Sequence, residues 1–92
     1  MAKSSSTRSI YINQARSIIT NRVAMNTFYT NEIIKIRSLV FKFGYLGVEA
    51  EDIFHDSFIK AKDAVINGNY NGTSSFAAYF YTICKKSMYR YS

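Results

Sequence analysis

Three aspartates and one isoleucine have the most suggestive spacing in this chain. Asp52, Asp56 and Asp63 recur at i, i+4 and i+11. At about 100° per residue they fall on one side of a helix, with Ile59 among them and His55 and Ile66 beside it. Carboxylates around an apolar side chain suit the docking of a basic partner. They equally suit a solvated face that carries one stray apolar residue. Catalysis is not expected. His55 is the only histidine, and it precedes Asp56 by one position, so the two side chains do not share a helical face. No nucleophile has a base at useful spacing, and no glycine-rich phosphate loop follows a strand. Cys84, the single cysteine, can make no internal disulfide and has no neighbouring metal ligands. No cofactor is implied.

A second constellation lies towards the C-terminus. Tyr81, Thr82, Lys85 and Tyr89 share one side of a helix, and Tyr79, Lys86 and Arg90 flank it. Tyr70 stands in the loop that enters this helix, among Asn69, Asn71 and Thr73. Tyrosine rings can stack on unpaired bases at about 1–3 kcal/mol each, while lysine and arginine neutralise phosphates. A polar loop beside a helix start can supply donors and acceptors to a flipped base. The alternative is a tyrosine-rich amphipathic helix whose lysines are merely solvated.

The elements that must carry these residues read as helices throughout. Glu49 to Ile66 forms one helix, whose other face is Ile53, Phe54, Phe58, Ala61, Ala64 and Val65; that face is expected in the core. Glu49, Glu51 and Asp52 sit in its first turn, where carboxylates favour the positive end of the dipole. Upstream, Ile12, Ala15, Ile19 and Val23, with Tyr11 and Ile18 beside them, predict a first helix from about Ser9 to Met25. Asn26 or Thr27 can cap a second helix. This one runs to about Phe43, with core positions at Phe28, Ile33, Ile36, Val40 and Phe43, and stops at Gly44. Gly47 marks a tight connection. Residues 67–73 are dense in turn formers without alternating strands around them, so they read as a helix-to-helix loop. Ser74 or Ser75 caps the last helix, which runs towards Tyr91 and buries Phe76, Phe80, Ile83, Ser87 and Tyr91, with Cys84 at the edge as a packing residue.

Size and composition agree with this. The 92 residues fit one small domain, and 48% hydrophobic residues are enough for a core. With no proline and four glycines, long helices are favoured over a many-turned β fold. The expected architecture is an all-α, compact bundle of four helices over residues 9–92, after a disordered tail at 1–8. No apolar run is long enough to span a membrane, the N-terminus lacks a secretion signal, and the lone cysteine fits a reducing cytoplasm. The net charge is +6. Basic residues dominate 1–46 and 67–92, whereas 47–66 is acidic, so the chain could touch two partners of opposite sign.

The order of two motifs carries a resemblance. Glu51-Asp52-Ile53-Phe54-His55-Asp56-Ser57-Phe58 resembles the core-binding signature of bacterial RNA polymerase sigma factors. That signature reads Glu-Asp, an aliphatic residue, any residue, Gln, Glu or Asp, any residue, Phe. Further on, Ser74-Ser75-Phe76-Ala77-Ala78-Tyr79-Phe80-Tyr81-Thr82-Ile83-Cys84-Lys85-Lys86 resembles the family's melting segment. The similarity is to region 2 of the extracytoplasmic-function type. It is good from about Gly47 to Lys86 and loose over residues 10–46, where only helix content and basic character agree.

The resemblance implies a transcription initiation module. Asp52, His55, Asp56, Ile59 and Asp63 would dock on the largest subunit of core RNA polymerase. The loop with Asn69, Tyr70, Asn71 and Thr73 would hold a flipped base of the promoter minus-ten element. Tyr79, Tyr81, Lys85, Lys86, Tyr89 and Arg90 would open the duplex and hold the non-template single strand. Phe58, Phe76 and Ile83 would be core. An anti-sigma factor is a further partner the resemblance admits. The chain departs from the pattern at three places. His55 replaces the usual Gln and adds a titratable head. Lys86 stands at the usual Asn and Arg90 at a frequent Asp, which favours phosphate affinity over base-specific contact. Nothing in the 92 residues corresponds to the helix-turn-helix domain that reads the minus-thirty-five element. The expectation is therefore an excised region-two domain or a protein without full promoter recognition. The rival readings are a polymerase-binding adaptor or regulator and a non-specific nucleic-acid-binding helical domain.

Overall fold

A computed structural model of the chain describes residues 2–44 and 49–89. These form four helices: α1 (Ala2–Thr20), α2 (Arg22–Phe43), α3 (Ala50–Ile66) and α4 (Phe76–Tyr89). Among the described residues there is no strand, and the expected all-α four-helix bundle is what the chain adopts. The expected tail does not fit: from Ala2 onwards the backbone is the first part of α1.

The α1–α2 boundary also differs from expectation. The break is at Asn21, not at Asn26 or Thr27. Asn21 is extended (φ −105°, ψ 120°), and its Oδ1 accepts from the backbone N–H of Val23 at 2.9 Å and of Ala24 at 3.2 Å. Two of the four orphan donors of α2 are thereby satisfied. Val23 fits the apolar period of α1 but belongs to the next helix, and it is 74% exposed instead of buried. At the other end, Gly44 closes α2 as expected. Its φ of 69° is left-handed, and its N–H donates to the Phe41 carbonyl. The expected roles of Gly47 and Tyr91 lie outside the described residues.

The core is aromatic where three helices meet. Phe28 of α2 packs edge-on against Phe80 of α4 at 5.1 Å and at a tilt against Phe54 of α3 at 6.0 Å. Phe54 and Phe80 close the triangle at 4.7 Å. Offset and edge contacts of this kind add to the area term. The predicted inner face of α3 is buried, with Phe58 half-buried. Ser57 was not expected there, yet it is fully buried, and its Oγ lies 3.5 Å from that of Ser87 on α4. These small side chains let α3 and α4 pack closely. Cys84 is buried beside them, and burial pushes its thiol up to about 11. A thiol held protonated is a packing group, not a nucleophile.

The loop between α3 and α4 is folded tightly. The N–H groups of Asn69 and Tyr70 both donate to the Ala64 carbonyl, at 2.8 and 3.1 Å. Gly72, at φ +74°, lies against α1. A Cβ there would stand 2.7 Å from the Arg8 carbonyl oxygen. Ser75 caps α4, its Oγ accepting from the N–H of Ala78 at 3.2 Å.

Candidate functional site

The outward face of α3 is built as the spacing predicts. Asp52, His55, Asp56, Ile59 and Asp63 are all exposed, with Ile66 at the C-terminal end of the same face. Ile59, at its centre, is 61% exposed. The reason is local: Ile53, Phe54, Ala61, Ala64 and Val65 hold the inner face in the core, so the residues opposite them must point to water. Asp56 pairs with Lys60 at 3.1 Å, which offsets part of the charge on one edge. Glu51 faces the other way. It accepts from Arg37 at 2.8 Å, which ties the first turn of α3 to α2 and holds the Glu51 carboxyl below the usual carboxylate range.

The tyrosine-and-lysine surface is more divided than the sequence suggests. Tyr81 is half-buried between α4 and α2, with the Lys85 ammonium 5.4 Å from its ring centre, within cation–π range. Tyr81 lies between two clefts. One, of about 600 Å³, is completed by Lys35, Ser38, Leu39 and Lys42 of α2 and by Lys85. The other, of about 410 Å³, runs towards the start of α4 past Glu32, Lys35 and Ser75. Lys35 itself pairs with the buried Glu32 at 3.4 Å. Tyr79 lies at the other edge of α4, against the loop, its ring 4.9 Å from that of Tyr70. Lys86 and Tyr89 are exposed, and Thr82 turns its hydroxyl back to the Ala78 carbonyl at 3.1 Å. Arg90 lies outside the described residues.

Within the loop the expected residues separate. Asn69, Asn71 and Thr73 are exposed. Tyr70 is the correction: it is 5% exposed, its hydroxyl donates to the Ser74 carbonyl at 2.6 Å, and its ring packs on Phe76. A phenol whose ring and donor are both engaged inside the fold cannot meet a base. The same burial raises its pKa above the ordinary tyrosine value, because the charged phenolate is disfavoured away from water. Tyr70 instead fixes the loop on α4. Asn71 is engaged too, its Oδ1 accepting from the N–H of Thr73 at 3.2 Å and from its hydroxyl at 2.9 Å. Lys35, Ser38 and Lys42 were not singled out in the sequence. Their i, i+3, i+7 spacing puts them on one side of α2, but only the approach of α4 makes that side a groove.

No family model, characterised protein or solved structure matches the chain. Its surfaces therefore have to be read from their own chemistry. One is an acidic face with an apolar centre, carried by α3. The other is a basic groove lined by an aromatic ring, shared by α2 and α4. The two have no residue in common. Among the described residues no helix is long and apolar enough to cross a membrane.

Proposed function

We propose that this protein is a transcription initiation module of the sigma region 2 kind, acting in the cytoplasm. It binds core RNA polymerase through the α3 face and the unpaired minus-ten strand of a promoter through α4, its entering loop and the groove with α2. The observation that carries the reading is the exposure of Ile59 within its ring of carboxylates, on the segment that resembles the family's core-binding signature. Aspartates around a desolvated apolar anchor steer and orient a basic partner, and the anchor supplies the contact energy. On the second surface, Tyr81 and Tyr79 bracket the exposed side of α4, and Lys35, Lys42, Lys85 and Lys86 offer positive charge to phosphates. No bond is made or broken. Strand separation is driven by the binding of unpaired bases, which offsets their lost stacking.

The test is retention of the protein on immobilised core polymerase. Ile59→Asp abolishes it and leaves helical circular dichroism unchanged, because the side chain is outside the core. Retention of the Ile59→Asp protein at the wild-type level removes the docking claim.

A second reading is favoured by Tyr70 and Asn71. Both are engaged within the loop, which weakens the case for a base-reading pocket there and leaves phosphate contact and stacking as the dominant chemistry. On that reading the chain is a non-specific single-strand binder. Equal affinity for a minus-ten strand and its scrambled counterpart selects it; preference for the minus-ten strand excludes it.

A further inference from the structure

A buried carboxylate stands in the wall of the α2/α4 groove, and the function proposed above gives it no task. Glu32 is 6% exposed, yet it lines the smaller cleft, of about 410 Å³, together with Tyr81 and with Ser75, Ala77 and Ala78 from the start of α4. A carboxylate has about four acceptor positions. Among the described residues Glu32 has one donor, the Lys35 ammonium, at 3.4 Å. The Lys35 side chain is 60% exposed, and an exposed ammonium at that distance holds the carboxylate weakly. A carboxylate taken out of water for one long contact is costly unless further donors reach it. The open side of the cleft is where such donors enter.

The rest of the groove selects what carries them. Tyr81 separates this cleft from the larger one, where Lys42 and Lys85 add positive charge, and the Lys85 ammonium lies 5.4 Å from the Tyr81 ring centre. From Ala78 to Lys85 is about 10 Å of helix, the reach of one nucleotide from base edge to phosphate. An acceptor at one end, an aromatic ring in the middle and cations at the other end complement a base joined to a phosphate. Guanine alone among the bases presents two adjacent donors, N1–H and N2–H, on its Watson–Crick edge, and one carboxylate accepts both. Adenine and cytosine present an amino group beside a ring nitrogen that a carboxylate repels, and thymine presents one N–H between two carbonyls. We infer that the α2/α4 groove is a guanine nucleotide site. Glu32 accepts from N1–H and N2–H, the base packs against Tyr81, and the phosphate meets Lys42 and Lys85. The guanine belongs either to the unpaired strand, in which case the site rests on the function proposed above, or to a free nucleotide. In the strand, Glu32 and not the loop of Asn69 and Asn71 reads the base.

The test titrates the full chain against two sets of probes. The first is a fluorescein-labelled thymidine strand with one central guanine, adenine or hypoxanthine, the last being guanine without its 2-amino group. The second is GMP, IMP and AMP in calorimetry. The guanine strand binds about tenfold more tightly than the hypoxanthine strand, the worth of one hydrogen bond to a charged acceptor. Glu32→Gln erases that ratio while the all-thymidine strand binds as before. The comparison of bases on the wild-type chain needs no variant to fold. A preference for GMP over IMP, with all strands bound equally or none bound, assigns the site to a free nucleotide; no strand binding at all also removes the strand half of the proposed function. Strand binding without any guanine preference, in strand or mononucleotide, overturns the inference and leaves the proposed function standing. A guanine preference that Glu32→Gln leaves unchanged overturns it as well, and binding of neither probe set overturns both.

Discussion

Two glycines in one loop separate backbone strain from steric contact. Gly68 and Gly72 have nearly the same left-handed backbone, at φ +79° and +74°. A Cβ at Gly68 would meet nothing within 4 Å, whereas at Gly72 it would stand 2.7 Å from the Arg8 carbonyl oxygen and 3.1 Å from the Ile12 side chain. Alanine in a left-handed conformation costs about 1–2 kcal/mol. That is the whole expected cost of Gly68→Ala. At Gly72 the obstacle is a backbone oxygen on α1, which cannot rotate away as a side chain would. The loop or the helix has to move, at a further cost of about 1–3 kcal/mol, as in other overpacked sites. In a domain of this size each kcal/mol is worth about 4–8 °C of melting temperature. Urea unfolding of the two variants reads the difference directly. If Gly72→Ala is no more destabilising than Gly68→Ala, the loop does not rest on α1, and its placement beside Tyr79 loses its support.

Three further outcomes follow from the same structure. Asn21→Ala removes two capping bonds and destabilises the protein by about 1 kcal/mol, while Asn26→Ala, inside α2, is close to neutral; equal effects would contradict the boundary. The Cys84 thiol titrates at about 11 in the folded protein against an ordinary value of 9.0. The unfolded chain therefore releases its proton first, and stability present below pH 9 is lost as the pH rises towards 11. Cys84→Ala flattens that alkaline decline, as read by urea midpoints across the range. In the groove, Lys35→Ala and Lys42→Ala each flatten the salt dependence of single-strand binding by about 0.7 in log–log slope, as read by anisotropy of a labelled oligonucleotide.

The legible parts of this protein are those fixed by a single helix. The two faces of α3 follow from seventeen residues of clear amphipathic period, and Asp52, His55, Asp56, Ile59 and Asp63 all lie where that period puts them. Asn21 was hidden because the apolar spacing of Ile12, Ala15 and Ile19 continues smoothly to Val23, with neither glycine nor proline to mark the break. Tyr70 misleads for a different reason. A tyrosine among asparagines and glycines looks solvent-facing, yet its ring covers Phe76 and its hydroxyl closes the loop on Ser74. Lys35 and Lys42 look like ordinary solvated lysines on α2. Their role depends on Tyr81 and Lys85 arriving from a helix about forty residues later, and no local pattern records that.

The central claim is that one small bundle joins polymerase to an unpaired strand through two separate surfaces. Its most direct test is a bridging assay, in which a labelled minus-ten non-template strand is captured on immobilised core polymerase through this protein. The wild-type chain retains the strand. Ile59→Asp loses the strand and the protein together, whereas Lys35→Ala/Lys42→Ala keeps the protein and loses the strand. No capture by the wild-type chain, or capture that survives both changes, contradicts the account.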